Sequence, residues 1–519
     1  MNISMKKNIL GGIFFIGMLF LASCQKDEGT PSFEDAEVIQ ITGLSTAYTA
    51  ISNKDVIKIS LSASSNVPKA DFDYVWAVYE TNNVGITPKL DTISKSKDLV
   101  YPVTLPAKGY RLVSIVTNKT TGLSKYSDAQ LAVVTEYTRG WYVLKDDGRD
   151  ADLDQFLTPT GIVPTDKNNN IYSKINGQKV EGVGTRLAYL SDYKSTQASA
   201  TPANTKTLFL GTEKDMAAIF INTLEKYRDR NSLFFGTKEG AKDMVVFSGA
   251  STQYLMNNAH LHGIYSMAPN SGIFGGYFMR DENNSAYELS PYFLTGSNFS
   301  PLVFDNKSSS FLTAVMAPTV FSNVTDKNET QLSAQNNNQK LLYMAYQNDV
   351  YDANTYTSRM KGWALFEDKS TAKKTLAYLE PDGTTLFVTT YPIEPIQKLN
   401  NSSKHSILVK AENMLYFVYN NRDVYTYNLS NGNEQLQYSV PGNEEVTFIR
   451  HRTYTEKNYA FNYVIIGTKV GSKYKIRMFE KTSGNLNPQP VFVLEGDGIP
   501  RDVMYISPTS NSDTFPTGY

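Results

Sequence analysis

Apolar and polar residues alternate with a period of two along many short stretches of this chain. The first clear example places Phe72, Tyr74, Trp76 and Val78 at every second position. Because successive side chains of a strand point to opposite faces, this spacing puts all four on one face of a sheet. Similar short runs, separated by turn-forming residues, recur through the rest of the chain. The pattern predicts an all-β protein.

The first region with this pattern covers residues 36–137, where no helical periodicity interrupts the strands. About 100 residues of short strands and turns favour an Ig-like sandwich. We expect Trp76 to be the core residue of a middle strand and Asn118–Gly122 to form a hairpin-type turn. Besides the run that contains Trp76, the predicted strands are Val56–Ala63, Leu99–Leu105, Tyr110–Thr117 and Leu131–Thr135.

In the second region, residues 138–519, the sequence repeatedly predicts a strand, a turn and a further strand. The clearest unit comprises Met414–Tyr419, Asp423–Asn428 and Glu434–Val440. Four short antiparallel strands in about 40–50 residues describe one blade of a β-propeller, and this region has room for about seven or eight such units. We predict seven blades, because Asn-rich stretches at Lys167–Asn170 and Asn336–Asn338 resemble insertions. The alternative architecture is a pair of β-sandwiches.

Internal sequence repeats favour the propeller over the pair of sandwiches. Gly140–Asp146 resembles Gly362–Asp368, and each of the two segments carries a tryptophan in its second position. We therefore expect Trp141 and Trp363 to be buried between blades. A second repeated pattern is an apolar strand end followed by Gly-Thr and a charged residue. It occurs at Leu208–Lys214, Leu233–Glu239 and Ile465–Lys469.

One segment has helical spacing instead. Its apolar side chains lie roughly on one helical face. The surrounding β rhythm nevertheless favours a strand over Ala217–Asn222, followed by a loop or a short helix. The residues with helical spacing are Met216, Ile219, Phe220, Leu224 and Tyr227.

The composition of the chain excludes several classes of protein and of site. The chain has 519 residues, of which 41% are apolar and 19% are charged, which excludes a disordered protein. Lys and Arg total 50 against 51 for Asp and Glu, so there is no basic excess to attract nucleic acid. The single Cys excludes both an intramolecular disulfide and a thiolate zinc cluster.

The N-terminus is typical of a secretory signal. Lys6 and Lys7 precede a mostly apolar stretch of 14 residues, Ile9–Ala22. This is too short for a helix that crosses the ~30 Å hydrocarbon core, which takes about 20 residues. A short apolar core after two lysines indicates a cleaved signal peptide, residues 1–23.

Leu21-Ala22-Ser23-Cys24 resembles the lipobox of bacterial lipoproteins. The resemblance implies cleavage before Cys24 and a diacylglycerol on its sulfur. The alternative is a buried Cys beyond a signal that is cut elsewhere. The lipobox is favoured because Cys24 is the only Cys and stands where the motif requires it.

Lys26, Asp27 and Glu28 follow almost directly after Cys24. They look like the signal that sends some Gram-negative lipoproteins to the outer face of the outer membrane. The alternative is a solvated tether whose charges need no receptor. Residues 24–35 are polar and predict a flexible tether in either case.

The order of these features is similar to that of the PKD-like family lipoproteins, which accompany Sus-type nutrient uptake systems of the outer membrane. The features are the lipobox, a β domain over 36–137, and Gly140–Lys145 at the start of a propeller-like region. The resemblance implies a PKD-like form for the first domain, a lipid-anchored location facing the cell exterior, and a Sus-type transporter complex as partner. The family has no established catalytic set, so no catalytic residue is carried over.

Two clusters have the residue types of a metal site. His260 and His262 stand two residues apart, which puts both imidazoles on one strand face, but no third ligand is near in sequence. Asp146–Asp154 is the densest acidic run, yet its order does not match a calcium loop and Arg149 offsets its charge. We favour a structural interpretation of both clusters and predict neither a metal nor a cofactor.

No nucleophile elbow, phosphate loop or zinc-protease motif is present in the sequence. The sequence therefore favours a non-catalytic surface lipoprotein that binds a glycan, a peptide or a component of an uptake complex. The alternative is a surface glycan hydrolase or lyase that uses carboxylates from different blades on the propeller face.

Overall fold

The computed structural model describes residues 36–81, 89–195, 203–235, 242, 244–265, 272–296, 299–315, 319–353, 356–409 and 412–511. The predicted signal peptide, the tether and Cys24, Lys26, Asp27 and Glu28 lie outside these residues. The protein is all-β, as predicted. Its described helices are α1 (Ile171–Asn176) and two 3-10 turns at Glu136–Thr138 and Lys398–Asn401. In the described part of the chain, no helix is both long and apolar enough to span a membrane.

The strands of the first region form three sheets, with the orders β1-β4, β3-β7 and β2-β9-β8-β5-β6. These strands are β1 Ile39–Thr42, β2 Ala47–Ile51, β3 Val56–Ile59, β4 Ser62–Ser65, β5 Phe72–Glu80, β6 Asp91–Ser94, β7 Leu99–Pro102, β8 Gly109–Asn118 and β9 Ser124–Val134.

The next sixteen strands alternate with short turns. They are β10 Gly140–Asp146, β11 Asp150–Leu157, β12 Asp166–Asn168, β13 Val180–Glu181, β14 Gly184–Ser195, β15 Ala203–Thr212, β16 Met216–Phe220, β17 Lys226–Arg228, β18 Val245–Gly249, β19 Thr252–Asn257, β20 His260–Tyr265, β21 Leu289–Gly296, β22 Phe299–Asp305, β23 Ser310–Thr313, β24 Ser322–Asn323 and β25 Thr325–Asp326.

The remaining strands continue the same rhythm. They are β26 Gln339–Asp352, β27 Thr357–Asp368, β28 Lys374–Asp382, β29 Thr385–Pro392, β30 His405–Ile407, β31 Met414–Tyr419, β32 Asp423–Asn428, β33 Glu434–Ser439, β34 Glu445–Tyr454, β35 Phe461–Val470, β36 Lys473–Phe479, β37 Lys481–Thr482, β38 Asn485–Leu486, β39 Phe492–Asp497 and β40 Ile499–Ile506.

The chain divides into two compact units. Within the described residues, the first comprises the chain up to Thr46, Lys58–Tyr101 and Arg111–Gln130, and the second comprises Ala47–Ile57, Pro102–Tyr110 and the chain from Leu131 onward. In the first unit, Trp76 on β5 is fully buried, which confirms its predicted place in the core. Its indole N–H donates a hydrogen bond of 3.1 Å to the Ser96 carbonyl, so the ring's polar atom is satisfied as well.

In the second unit, seven sheets of three to five strands follow one another along the described chain, beside the two-stranded hairpin β37-β38. We number them in chain order. Sheet 1 contains β10–β13 and β40, sheet 2 contains β14–β17, sheet 3 contains β18–β20, and sheet 4 contains β21–β24. Sheet 5 contains β25–β29, sheet 6 contains β30–β33, and sheet 7 contains β34–β36 and β39.

Sheet 1 joins the beginning and the end of this series of seven sheets. The C-terminal strand β40 pairs antiparallel with β10, so that Trp141 faces Tyr505 and Val143 faces Val503. Seven strands, one from each sheet, contact one another in the order β40, β14, β18, β21, β26, β30 and β34, and β34 in turn contacts β40. We call these seven the inner strands.

The apolar cores lie between neighbouring sheets. Trp141 is fully buried and packs 4.9 Å from the ring of Phe461, between sheets 1 and 7. Trp363 is 6% exposed and belongs to a cluster shared by sheets 3 to 6. Both observations confirm the predicted burial of the two Gly-Trp tryptophans. Burial of large aromatic side chains is the main source of stability at such a boundary.

The predicted strands Met414–Tyr419, Asp423–Asn428 and Glu434–Val440 are confirmed as β31, β32 and β33. Helical spacing around Met216 gives a strand, β16, as the β rhythm predicts. The predicted strand end at Leu233–Glu239 is reduced, in its described part, to an isolated parallel β-bridge between Phe234 and Phe274. Leu233 lies in a turn there, and its N–H donates to the carbonyl of Asp229.

Candidate functional site

Four charged residues from three sheets meet where the inner strands converge. Arg186 lies on β14, Arg450 and Arg452 lie on β34, and Asp502 lies on β40. Arg450 and Arg452 stand two positions apart, so they share one side of their strand. We call these four residues the arginine cluster.

Asp502 is the centre of this cluster. Its carboxylate is fully buried, with Oδ1 at 3.1 Å from Nε of Arg450 and 4.0 Å from Nη2 of Arg452. Oδ1 also accepts the N–H of Val503 at 3.0 Å, and Oδ2 accepts the N–H of Leu187 at 3.0 Å. One side chain therefore ties together inner strands of sheets 1, 2 and 7.

Burial and neighbouring charges shift the pKa values of three residues in the cluster. Burial by itself raises the pKa of Asp502, but Arg450 and Arg452 outweigh it, so the pKa lies below its usual value. Burial lowers the pKa of Arg186, and the neighbouring charge of Arg450 lowers it further. Burial lowers the pKa of Arg452 as well, and Asp502 opposes the shift. The cluster therefore places three guanidiniums around one carboxylate.

Aromatic rings from the next inner strands adjoin the cluster. The ring centroids of Tyr292 and Tyr343 are 5.4 Å apart, and those of Tyr343 and His405 are 5.3 Å apart. Both Arg450 and Arg452 act electrostatically on the Tyr343 hydroxyl, and Tyr292 acts on Arg186. We call Tyr292, Tyr343 and His405 the aromatic wall.

The chemistry of this site is that of donors rather than of reacting groups. Guanidiniums donate hydrogen bonds and do not accept them. Asp502 is the one carboxylate of the cluster, and both of its oxygens already accept hydrogen bonds. The arrangement is therefore suited to holding a ligand in place.

Sequence reasoning missed this site. The only local signal is the Arg-His-Arg triplet 450–452 of β34, which follows the apolar residues Phe448 and Ile449 directly. His451 is held on the other side of the strand, where Nδ1 accepts the N–H of Val409 at 3.0 Å. The sequence does not reveal that Asp502 and Leu187, 315 positions apart, meet beside this triplet.

His260 and His262 lie on β20 of sheet 3. Nδ1 of His262 is 2.9 Å from the Gly275 carbonyl, and its ring packs edge-on 4.7 Å from Phe234. Burial lowers the pKa of His262 to about 4, so its imidazole is neutral at pH 7. The ring of His260 lies 4.6 Å from that of Tyr277. Within the described ranges, no group of three or more His, Cys, Asp or Glu residues is arranged to hold a metal ion.

The acidic run Asp146–Asp154 forms the hairpin of β10 and β11, beside a cavity of about 190 Å³. Its carboxylates are occupied by the protein's own donors. Asp154 accepts from Lys145 Nζ at 2.8 Å, and Asp152 accepts the N–H of Ser173 at 3.1 Å. A hydrogen bond from Lys179 lowers the pKa of Asp147 to about 2. This network is structural, and it uses the oxygens that a calcium ion would need.

The fold resembles several solved structures at low identity. One is a quinonprotein alcohol dehydrogenase-like protein from Bacteroides thetaiotaomicron, with 13% identity, a TM-score of 0.37, and 89% of this chain and 97% of that chain covered. Another is a DUF4784 family protein from Bacteroides caccae, with 9% identity, a TM-score of 0.31 and coverage of 77% and 95%. A third is YCF48 from Cyanidioschyzon merolae, with 8% identity, a TM-score of 0.34 and coverage of 63% and 95%.

Sequence comparison gives a family match for the N-terminal part of the chain. No curated protein matches the chain in sequence. The PKD-like resemblance inferred from the order of motifs is confirmed for this part of the chain, because residues 24–183 match the model of the PKD-like family.

Proposed function

We propose that this chain is a lipid-anchored binding protein of the outer membrane, displayed on the cell surface, that serves nutrient acquisition without catalysing a reaction. In this proposal a PKD-like domain at 36–137 precedes a closed β-propeller of seven blades at 138–519. The seven sheets support the blade count. Pairing of β40 with β10, and the contacts that lead from β34 back to β40, support closure, since a circular array needs its last strand to complete its first sheet.

The arginine cluster is the observation that carries the binding function. Inner strands of three sheets supply it, and the aromatic wall from three more sheets adjoins it. A site built on strands is held more rigidly than one built on loops, which favours recognition of a ligand with fixed geometry. Binding is favoured over catalysis because the carboxylate of the cluster is engaged by Arg450 and Leu187 and has a lowered pKa, which makes it a poor base.

The anchor and its direction come from the N-terminal sequence. Lipid on Cys24 would hold the protein at the membrane, the stretch 24–35 would act as a tether, and Lys26, Asp27 and Glu28 would direct display. The partner proposed on this basis is a transporter complex of the Sus type, to which the bound glycan or peptide would pass.

We expect Cys24→Ala to lose the lipid anchor. A diacylglycerol and a further acyl chain hold a protein firmly, whereas a chain without them has no comparable affinity for the membrane. Cells that express the wild type should incorporate labelled palmitate into the protein, and cells that express Cys24→Ala should not. Equal labelling of the two would refute the lipoprotein assignment.

We expect surface display to depend on the charged triplet. Protease added to intact cells should degrade the wild type. A variant with Lys26, Asp27 and Glu28 all replaced by Ala should resist, because it would stay anchored but face the periplasm. The matched control replaces Lys54, an exposed lysine outside the signal, with Ala and should remain protease-sensitive. Equal degradation of the triple variant would show that the segment is only a tether.

A further inference from the structure

We infer that the cavity beside the acidic run binds a compact, hydroxyl-rich ring without negative charge, either a neutral sugar or an amino sugar. The cavity has a volume of about 190 Å³ and lies at the hairpin of β10 and β11 in sheet 1. We call it the hairpin cavity. The inference goes beyond the proposed function, because the cavity is lined by residues outside the arginine cluster.

The size of the hairpin cavity suits one small ring. Its volume is far above the ~30 Å³ that a water molecule takes in the liquid, so the cavity admits more than a single solvent molecule. The volume is below the ~300–1,000 Å³ of pockets that enclose drug-sized ligands. We therefore expect a glycan to place one sugar in the cavity and to leave its other sugars outside.

Lys145 supplies a buried donor to the hairpin cavity. Its side chain is 7% exposed, and its Nζ lies 2.8 Å from Oδ1 of Asp154. An ammonium group has three N–H donors, and Asp154 engages one of them. Within the described part of the chain, no residue accepts a hydrogen bond from the other two. Because a buried donor without an acceptor costs free energy, a ligand oxygen in the cavity would stabilise this ammonium.

Asp497 and Asp150 supply acceptors. Asp497 is the last residue of β39, and no described residue donates a hydrogen bond to its carboxylate. Oδ1 of Asp150 accepts the N–H of Gly182 at 3.3 Å, and Oδ2 has no donor among the described residues. Asn170, just before α1, also lines the cavity, and its side-chain amide can both donate and accept. The network that fixes the acidic run therefore leaves donors and acceptors unused around one cavity.

The chemistry of the lining selects the class of ligand. Five aspartates against two lysines repel an anion. A bare metal ion would leave Lys145 without an acceptor and would lie beside two ammonium groups. A hydroxyl donates one hydrogen bond and accepts two, so it can join Asp497 or Asp150 to Lys145. A sugar ring presents several hydroxyls in fixed directions, and an amino group on the ring would add a charged donor for the carboxylates.

Saturation-transfer NMR tests the inference on the full chain, purified in a polyoxyethylene detergent, which contains no sugar. The probes are glucose, galactose, mannose and glucosamine, and glucuronate is the anionic control. We expect saturation of at least one of the four probes and none of glucuronate. Stronger saturation of glucosamine than of the neutral sugars assigns an amino sugar, and the reverse order assigns a neutral one. If none of the four is saturated, or if glucuronate is saturated to the same extent, the inference is wrong.

Two variants that keep the described hydrogen bonds of the fold locate the site. Asp497→Ala removes an exposed carboxylate and should raise the Kd of the sugar about tenfold. Asn170→Gly removes a side chain that makes no capping hydrogen bond, and glycine accepts the left-handed backbone at φ 53°. It should raise the Kd about threefold to tenfold.

The matched control is Glu495→Ala, which removes an exposed carboxylate of the same strand, β39, outside the cavity lining. This variant should bind the sugar like the wild type. An unchanged Kd in both cavity variants would place the sugar elsewhere on the protein, which overturns this inference and leaves the proposed binding function intact. Surface display, measured on cells, is independent of all three substitutions.

Discussion

Asp502→Ala is expected to lower the free energy of unfolding by about 3–5 kcal/mol, the range for removing one partner of a buried ion pair. The carboxylate is fully buried and is the counter-charge for Arg450 and Arg452. Its removal takes the negative charge of Asp502 away from three guanidiniums, and it also leaves the N–H of Leu187 without its acceptor. Since Leu187 lies on β14 of sheet 2 and Asp502 on β40 of sheet 1, the loss weakens the contact between sheets 1 and 2.

Urea denaturation at pH 7 in chloride measures this loss. The matched control is Asp128→Ala, which removes an aspartate paired with Arg111 at 2.9 Å on the surface. Exposed pairs of this kind contribute about 0–1 kcal/mol, so the control should unfold almost like the wild type. Equal midpoints for Asp502→Ala and the wild type would show that the cluster does not join the strands.

A double variant separates charge from hydrogen bonding. Adding Arg452→Gln to Asp502→Ala should recover part of the lost stability, because it removes one of the guanidinium charges that Asp502 opposes in the wild type. The hydrogen bond from Leu187 stays absent in both proteins. Identical stability of the single and double variants would attribute the loss to the hydrogen bond rather than to repulsion among the arginines.

The positions of many individual strands are predictable because they depend on the local sequence. Short runs rich in apolar and aromatic residues, bounded by turn-forming residues, are typical of strands, so segments such as Met414–Tyr419 and Asp423–Asn428 can be found from the local sequence. The neighbouring strands also favour a strand near Met216, where the spacing of apolar residues by itself fits a helix. A strand of sheet 2 that is buried on both faces carries apolar residues at nearly every position, and such a run also fits a helix.

The strand end predicted at Leu233 is limited to one β-bridge at Phe234, because composition alone does not make a strand. Leu233 and Phe234 are apolar, and Gly-Thr follows, as at β15. However, Asp229 caps the turn, where its carboxylate accepts the N–H of Asn231 at 3.0 Å. Aspartate at the first position of a turn competes with strand pairing, and this signal was present in the sequence.

The arginine cluster was not predictable, for a different reason. Charged residues on a strand normally indicate a solvent-exposed face. Arg450 and Arg452 are mostly buried because the inner strands of other sheets surround them, and that arrangement depends on the order of seven sheets. Electrostatic sites of this kind depend on pairings between distant segments, which periodicity does not encode.

Trp363→Ala is expected to destabilise the protein by about 3–5 kcal/mol, the usual range for truncating a large buried aromatic side chain. The indole is 6% exposed and packs 5.0 Å from the ring of Tyr378. Its N–H donates a hydrogen bond of 2.9 Å to Oε1 of Gln347, so truncation also leaves a buried acceptor without a donor. Trp363→Phe keeps most of the apolar volume and should lose clearly less stability than the alanine variant.

Calorimetric unfolding of both variants, with Ile396→Ala as control, decides the role of Trp363. Ile396 is 92% exposed, and surface substitutions of this kind change stability by no more than about 0.5 kcal/mol. The order of Tm should be Ile396→Ala, equal to the wild type, then Trp363→Phe, then Trp363→Ala. If Trp363→Ala instead melts like the wild type and loses ligand binding, the indole is a ligand contact, and the ring surface of the binding site extends beyond the aromatic wall to a second strand of sheet 5, β27.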